Sequence, residues 1–298
     1  MSAMQAVFDR ILAGDAHLLD GFAVQRVVTS GRRTESGICI HEDRLDIAGD
    51  GRVRLALHRS LSDMPGRQVG VFETQVPADV VVGLVRLLKA HPFETMPRSQ
   101  IRPVDTVMRL SVVAGGMVSE FTFASTDRDA AASLRPLLGE LATLLARAEE
   151  HPSMTLGLML AAPERVAIGE SRLAVSVAFG NFGSQGYWMT HPAHLAGGDD
   201  LFVLLYGRLP EVRDDQMPPP LEIARVPLEV SVRPVPDLVW MGPRTKMTIE
   251  CSAEVRFQAG GPHFMRAGYC TYGGEATIAS QPRFVGGVFA SDIEVLVT

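Results

Sequence analysis

At 298 residues the chain is about twice the commonest domain size, so two domains with real hydrophobic cores are expected. Hydrophobic residues make up 46% and charged residues 21%, an ordinary globular balance that excludes a disordered chain. The formal net charge of −6 argues against nucleic acid, whose phosphates select basic surfaces.

Cys39, Cys251 and Cys270 cannot all pair within one chain, and none has the C-x-x-C spacing of a zinc or redox site, so reduced thiols and no cofactor are expected. The first 22 residues lack the basic start and continuous apolar run of a secretory signal. No later stretch offers the ~18 apolar residues of a membrane span, and the cytoplasm is the expected compartment.

Met4, Val7, Phe8, Ile11 and Leu12 recur at helical spacing, with Gly14 as a stop. Extended segments follow at Val24–Thr29, Gly37–His41, Leu45–Ala48, Arg52–His58 and Gln68–Thr74, with Gly49-Asp50-Gly51 as a tight turn. Pro77–Ala90 reads as a helix with Val80, Val81, Leu84, Leu87 and Leu88 on one face, ended by His91-Pro92. Thr106–Val113 and Met117–Ala124 form a hairpin over Gly115-Gly116, and Thr126 opens a capping box. A helix with Leu134, Leu137, Leu138, Leu141, Leu144 and Leu145 follows, kinked or begun at Pro136 with Ser133 as its cap.

The expected fold class is therefore α+β. Residues 1–152 form an antiparallel sheet layered with two or three helices (β-β-β-β-α-β-β-α), and His151-Pro152 closes the domain. Residues 153–298 are mostly β, with strands at Met154–Ala161, Arg165–Gly169, Leu173–Phe179, Leu201–Tyr206, Leu228–Val232, Thr245–Phe257, Ala276–Ala279 and Val288–Val297. The clearest is Thr245–Phe257, where apolar Met247, Ile249, Cys251, Ala253, Val255 and Phe257 alternate with polar neighbours. A β-sandwich or barrel fits this pattern, immunoglobulin-like over its last eighty or so residues in one version, with a subdivision at Met217–Pro220 in another.

Chemistry-bearing residues concentrate after the third of these later strands. In Gly180-Asn181-Phe182-Gly183-Ser184-Gln185-Gly186-Tyr187-Trp188, the aromatics Phe182, Tyr187 and Trp188 offer flat contact area with little entropy to lose, which suits partner binding. A phosphate cradle would need a helix directly behind the glycines, and none is expected there. His191 and His194, with His263 as a further ligand, are the residues for a metal site, and Cys270 with His263 is the pairing for a nucleophile. Asp199-Asp200, Asp214-Asp215 and Glu149-Glu150 read as solvated charge.

No G-x-S-x-G elbow, Walker loop, H-E-x-x-H or kinase motif set occurs. The expected function is thus a non-catalytic binding or assembly protein that meets a protein or small-molecule partner partly through the aromatic, glycine-rich loop. A metal- or Cys/His-dependent hydrolase built on the loop histidines is one alternative, and a subunit of a larger homo-oligomer, self-associating through edge strands, is another.

Overall fold

The structure, a computed structural model, describes residues 2–298 apart from 35–36, 59–65, 97–99, 103–104, 196–199, 208–221, 231–234, 272–276 and 279. For residues 31–34, 37–41, 94, 170–171 and 222–223 it describes the backbone alone. The chain divides into two compact units, Met1–Leu57 with Val71–Pro152, and His58–Gly70 with Ser153–Thr298.

The first unit is α+β. Its helices are α1 (Ala3–Leu12), α2 (Ala16–Asp20), α3 (Ala78–Ala90), α4 (Arg128–Ser133) and α5 (Arg135–Glu149). Its strands are β1 (Ala23–Thr34), β2 (Gly37–Ala48), β3 (Arg52–Leu57), β4 (Val69–Gln75, from Val71 on), β5 (Val107–Ala114) and β6 (Met117–Ala124), ordered β4-β3-β2-β1-β5-β6. Val24, Ile47, Val53 and Val112 stand opposite one another across four antiparallel strands and are all buried, so they form one row of the core face. The helices contribute Phe8 and Ile11 from α1, Val81, Leu84, Val85 and Leu88 from α3, and Leu137, Leu141 and Leu144 from α5. Each such side chain contributes roughly 1.5–3 kcal/mol when fully buried.

Two local readings change. Gly37–His41 and Leu45–Ala48 are one strand, in unbroken register with β1 from Thr34↔Gly37 to Ala23↔Ala48. The charged Glu42-Asp43-Arg44 stretch that seemed to interrupt it runs through the ladder, because Arg44 and Gln25 both bond the Asp46 carboxylate on the outer side of the sheet. The last helical stretch is two helices rather than one. Asp127, not Thr126, caps α4 by accepting the Ala130 N–H at 3.0 Å, the chain breaks at Leu134, and Pro136 sits in the first turn of α5. Ser133 is no cap, since its hydroxyl donates back to the Asp129 carbonyl. The Gly115-Gly116 turn is a tight hairpin with φ of +56° and +76°, values that glycine adopts without a Cβ penalty.

The second unit is mostly β. Its strands are β7 (Pro152–Ala161, from Ser153 on), β8 (Arg165–Val166), β9 (Gly169–Asn181), β10 (Tyr187–Thr190), β11 (Asp200–Tyr206), β12 (Glu222–Pro227), β13 (Glu229–Val230), β14 (Leu238–Met241), β15 (Lys246–Phe257), β16 (Gly261–Thr271), β17 (Thr277–Ile278), β18 (Gln281–Pro282), β19 (Gly286–Phe289) and β20 (Ile293–Val297). One sheet runs β13-β15-β9-β7; another runs β12-β11-β16-β20-β8, with β19 also on β16. β10 pairs with β14, and β17 with β18.

Strand β15 alternates as its sequence predicts. Ile249, Cys251, Ala253, Val255 and Phe257 are buried, Lys246, Thr248, Glu250, Glu254 and Arg256 are exposed, and β9 pairs along the full length of the strand. The inner faces of the two sheets meet as a sandwich: Phe179 of β9 lies edge-on to Tyr269 of β16 at 5.2 Å, and Phe257 of β15 edge-on to His263 at 5.1 Å. The opposite face of β16 is also buried, with Cys270 among Phe202, Leu204, Tyr206 and Phe289.

Residues 261–271, to which the sequence reading assigned no strand, are thus a central strand. Gly268 is there because a Cβ would meet the Phe202 ring at 2.5 Å, so the glycine marks ring packing and not a bend. Arg165–Gly169 shortens to Arg165–Val166, and Val288–Val297 divides at Ala290-Ser291-Asp292. The last eighty or so residues are not closed on themselves, since β15 pairs with β9 and both β12 and β16 pair with β11. The proposed subdivision at 217–220 lies outside the described residues. Among the described residues no helix is long and apolar enough to cross a membrane.

Candidate functional site

Within Gly180–Trp188 the connection between β9 and β10, residues 182–186, is held by one buried amide. Asn181 is 2% exposed; its Nδ2 donates to the carbonyls of Gln185, Gly242 and Met241 at 2.8, 2.9 and 3.2 Å, and its Oδ1 accepts the Gly183 N–H at 2.9 Å. The backbone N–H of Asn181 donates to the Thr245 carbonyl, so the loop and the turn at 242–245 form one assembly.

The glycines of this segment serve its own aromatic rings. Gly157 of β7 and Gly180 of β9 are direct cross-strand partners, and a Cβ on either would meet the Phe182 ring, at 2.6 and 2.9 Å. The ring therefore lies flat on a glycine pair on the outer face of the sheet, covering backbone that no side chain covers. It remains 43% exposed. Gly186 does the same for the Trp240 ring, which a Cβ there would meet at 2.4 Å.

The three aromatics that the sequence groups together are separated by the fold. Tyr187 is 2% exposed, its hydroxyl donates to the Thr155 carbonyl, and burial pushes its pKa up, so it is a core residue and offers no contact area. Trp188 stands opposite Trp240 in the β10–β14 pair, with ring centroids 5.3 Å apart, and its indole N–H donates to Gln281 Oε1 at 2.6 Å. Phe182 and Trp240, each 43% exposed, are the aromatics that face solvent here; sequence reasoning missed Trp240 because its strand carries no alternation.

Beside Phe182 lies a groove of about 320 Å³, lined by Met159, Gly180, Asn181, Phe182, Arg244, Thr245 and Lys246. Met159 is 43% exposed. Arg244 holds φ at +54°, a left-handed conformation that L-residues avoid, at the tip of the turn that Asn181 clamps.

His191 and His194 lie edge to face, ring centroids 6.1 Å apart, and His263 does not join them. His191 Nδ1 accepts the Ala193 N–H at 3.1 Å and caps the short 3-10 turn Pro192–His194. His194 sets its Nε2 against the Val235 carbonyl at 2.9 Å and its Nδ1 3.4 Å from Asp237. His263 belongs to the inner face of β16, six residues from Tyr269, whose hydroxyl bonds the carbonyl of Thr190 beside His191. That is on the order of 20 Å along the strand. Cys270 and His263 are seven residues apart on one strand, so they point to opposite faces some ~23 Å apart and form no nucleophile–base pair. Among the described residues no three His, Cys, Asp or Glu side chains gather as metal ligands.

Burial, with the neighbouring His194 adding to it, holds His191 below the usual histidine pKa. A depressed folded pKa means that the native state binds fewer protons than the unfolded chain. Stability is then complete above the unfolded value near 6.5 and declines as pH falls below it. The urea midpoint is expected to drop between pH 7.5 and pH 5, and His191→Asn, which keeps the capping acceptor without titrating, is expected to flatten that drop. An equal drop in the variant would assign the pH dependence to other groups.

No protein-family model and no curated protein matches the chain. Two solved structures of β-glucosidase from Listeria innocua, a mutant in complex with laminaribiose and a second in complex with glucose, align at 12% and 13% identity, each with a TM-score of 0.24. They cover 49% and 48% of this chain and 16% of their own, so the chain spans about a sixth of their length. Likeness at that level carries no argument about activity.

Proposed function

We propose that the protein is a non-catalytic binding protein, whose second unit recognises a partner or small molecule through the groove between the Phe182 loop and the 242–245 turn. The observation that carries this reading is the pre-organised Phe182 ring. Two glycines and the Asn181 clamp hold one of its faces against the sheet, and the rest stays open to solvent beside an apolar methionine and two cations. An aromatic fixed before binding loses little entropy when it makes contact. The cytoplasm suits this role, because neither Cys251 nor Cys270 is in a disulfide.

A fragment library screened against protein carrying [13C]methyl-methionine tests the reading. Binders are expected to shift the Met159 methyl resonance, and Phe182→Ala should abolish the shift while the resonances of the other methionines show the variant folded. A screen in which no fragment moves Met159, or in which the variant binds equally well, would overturn it. A change of subunit count on native mass spectrometry of the Phe182 variant would instead assign the surface to self-assembly.

A further inference from the structure

We infer that the groove takes a small organic anion with a flat apolar body, an aryl-substituted carboxylate being the simplest class; this rests on the binding reading above. The sheet registers define the shelf on which it would lie. Gly157, Gly180 and Lys246 form one cross-strand row, covered by the Phe182 ring; Met159, Ala178 and Thr248 form the next on the same outer face. The ring is thus a wall, and Met159 an apolar floor beside it.

The polar groups at the end of this shelf are of one sign. Arg244 and Lys246 are exposed, and neither has an ion-pair or hydrogen-bond partner among the described residues. The other polar groups of the groove are already engaged: the Asn181 amide is saturated by backbone, and the Thr245 hydroxyl donates to the Gly242 carbonyl at 2.7 Å. Among the described residues no carboxylate lines the groove to receive a ligand cation.

A guanidinium and an ammonium two residues apart match a carboxylate, which a planar fork binds with two parallel hydrogen bonds. The volume of about 320 Å³ falls at the lower end of small-molecule sites and suits a single ring with a short acidic arm. An arginine kept at φ +54°, where glycine would be unstrained, is consistent with a side chain retained for its charge.

Sodium phenylacetate, phenylacetamide and phenethylamine, titrated at constant ionic strength into protein carrying [13C]methyl-methionine, separate the possibilities. The Met159 resonance is identified by its loss in Met159→Leu. Phenylacetate is expected to shift it saturably, the amide to bind about fivefold or more weakly, and the amine to leave it unmoved. The double variant Arg244→Gly, Lys246→Gln is expected to lose about tenfold in phenylacetate affinity. It should fold, since glycine suits the turn and position 246 is exposed; an unchanged spectrum of the remaining methionines verifies that. Equal affinity for acid and amide, or an unaffected double variant, would overturn the anion assignment while leaving the groove a binding site. Silence of Met159 to all three probes overturns the assignment as well, and a silent fragment screen beside it would bring down the binding reading too.

Discussion

Asn181→Ala is expected to destabilise the second unit by about 3–4 kcal/mol, because each buried polar group stranded without a partner costs roughly 1–3 kcal/mol and some regain water. The side chain is 2% exposed and supports three carbonyls and one amide, which tie residues 181–185 to 241–242. Asn181→Asp is the sharper variant. It keeps the shape and the acceptor for Gly183 but turns a carboxylate toward three carbonyl oxygens, so its loss should equal or exceed that of alanine. Urea unfolding followed by tryptophan emission reads this unit directly, since the two tryptophans of the chain, Trp188 and Trp240, both belong to it. An aspartate variant within about 1 kcal/mol of the parent, the worth of a single ordinary hydrogen bond, would show that the amide does not hold the loop. The groove depends on the same clamp, so the binding proposed for it should fail in both variants at temperatures where the rest of the unit is still folded.

Asp292→Ala is expected to cost about 1.5–3 kcal/mol, the worth of hydrogen bonds to a charged group, because Arg266 is buried while the Asp292 carboxylate reaches solvent. Arg266 has a side chain only 4% exposed; its Nε and Nη2 each donate to a different oxygen of Asp292 at 2.8 Å, and its guanidinium lies 5.3 Å over the Tyr206 ring. Without the carboxylate the guanidinium loses both of these charge-assisted hydrogen bonds, beside the cluster of Phe202, Leu204 and Phe289. Arg266→Met combined with Asp292→Ala should recover much of the loss, because an apolar side chain of similar length needs no counter-charge there. The comparison is made by urea denaturation at pH 7. A double variant as unstable as the single one would show that the damage lies in the turn at 290–292 and not in the lost ion pair.

Several elements are legible in the sequence because their signal is local. The alternation of Met247 to Phe257 describes β15 on its own, since one face of that strand is wet along its whole length. Gly49-Asp50-Gly51 and Gly115-Gly116 mark turns through the backbone freedom of glycine, and the stripe from Val81 to Leu88 marks a helix because one of its faces is buried. These patterns are sufficient for the α+β class and for a β-rich second half.

What tertiary structure alone decided follows from partners distant in the chain. Strand β16 is buried on both faces and so has no alternation to read, and its Gly268 answers to the rings of Phe202 and Phe289. Phe182, Tyr187 and Trp188 look equivalent in sequence. Their fates are set by Gly157 beneath the first, the Thr155 carbonyl at the hydroxyl of the second and Trp240 opposite the third. Residues 58–70 join the second unit with no compositional mark. Met159, Arg244 and Lys246 enter the groove through the registers of β7, β9 and β15. Periodicity records which face of an element is buried; it carries no record of which strand will lie beside it, and the groove is made of that second kind of information.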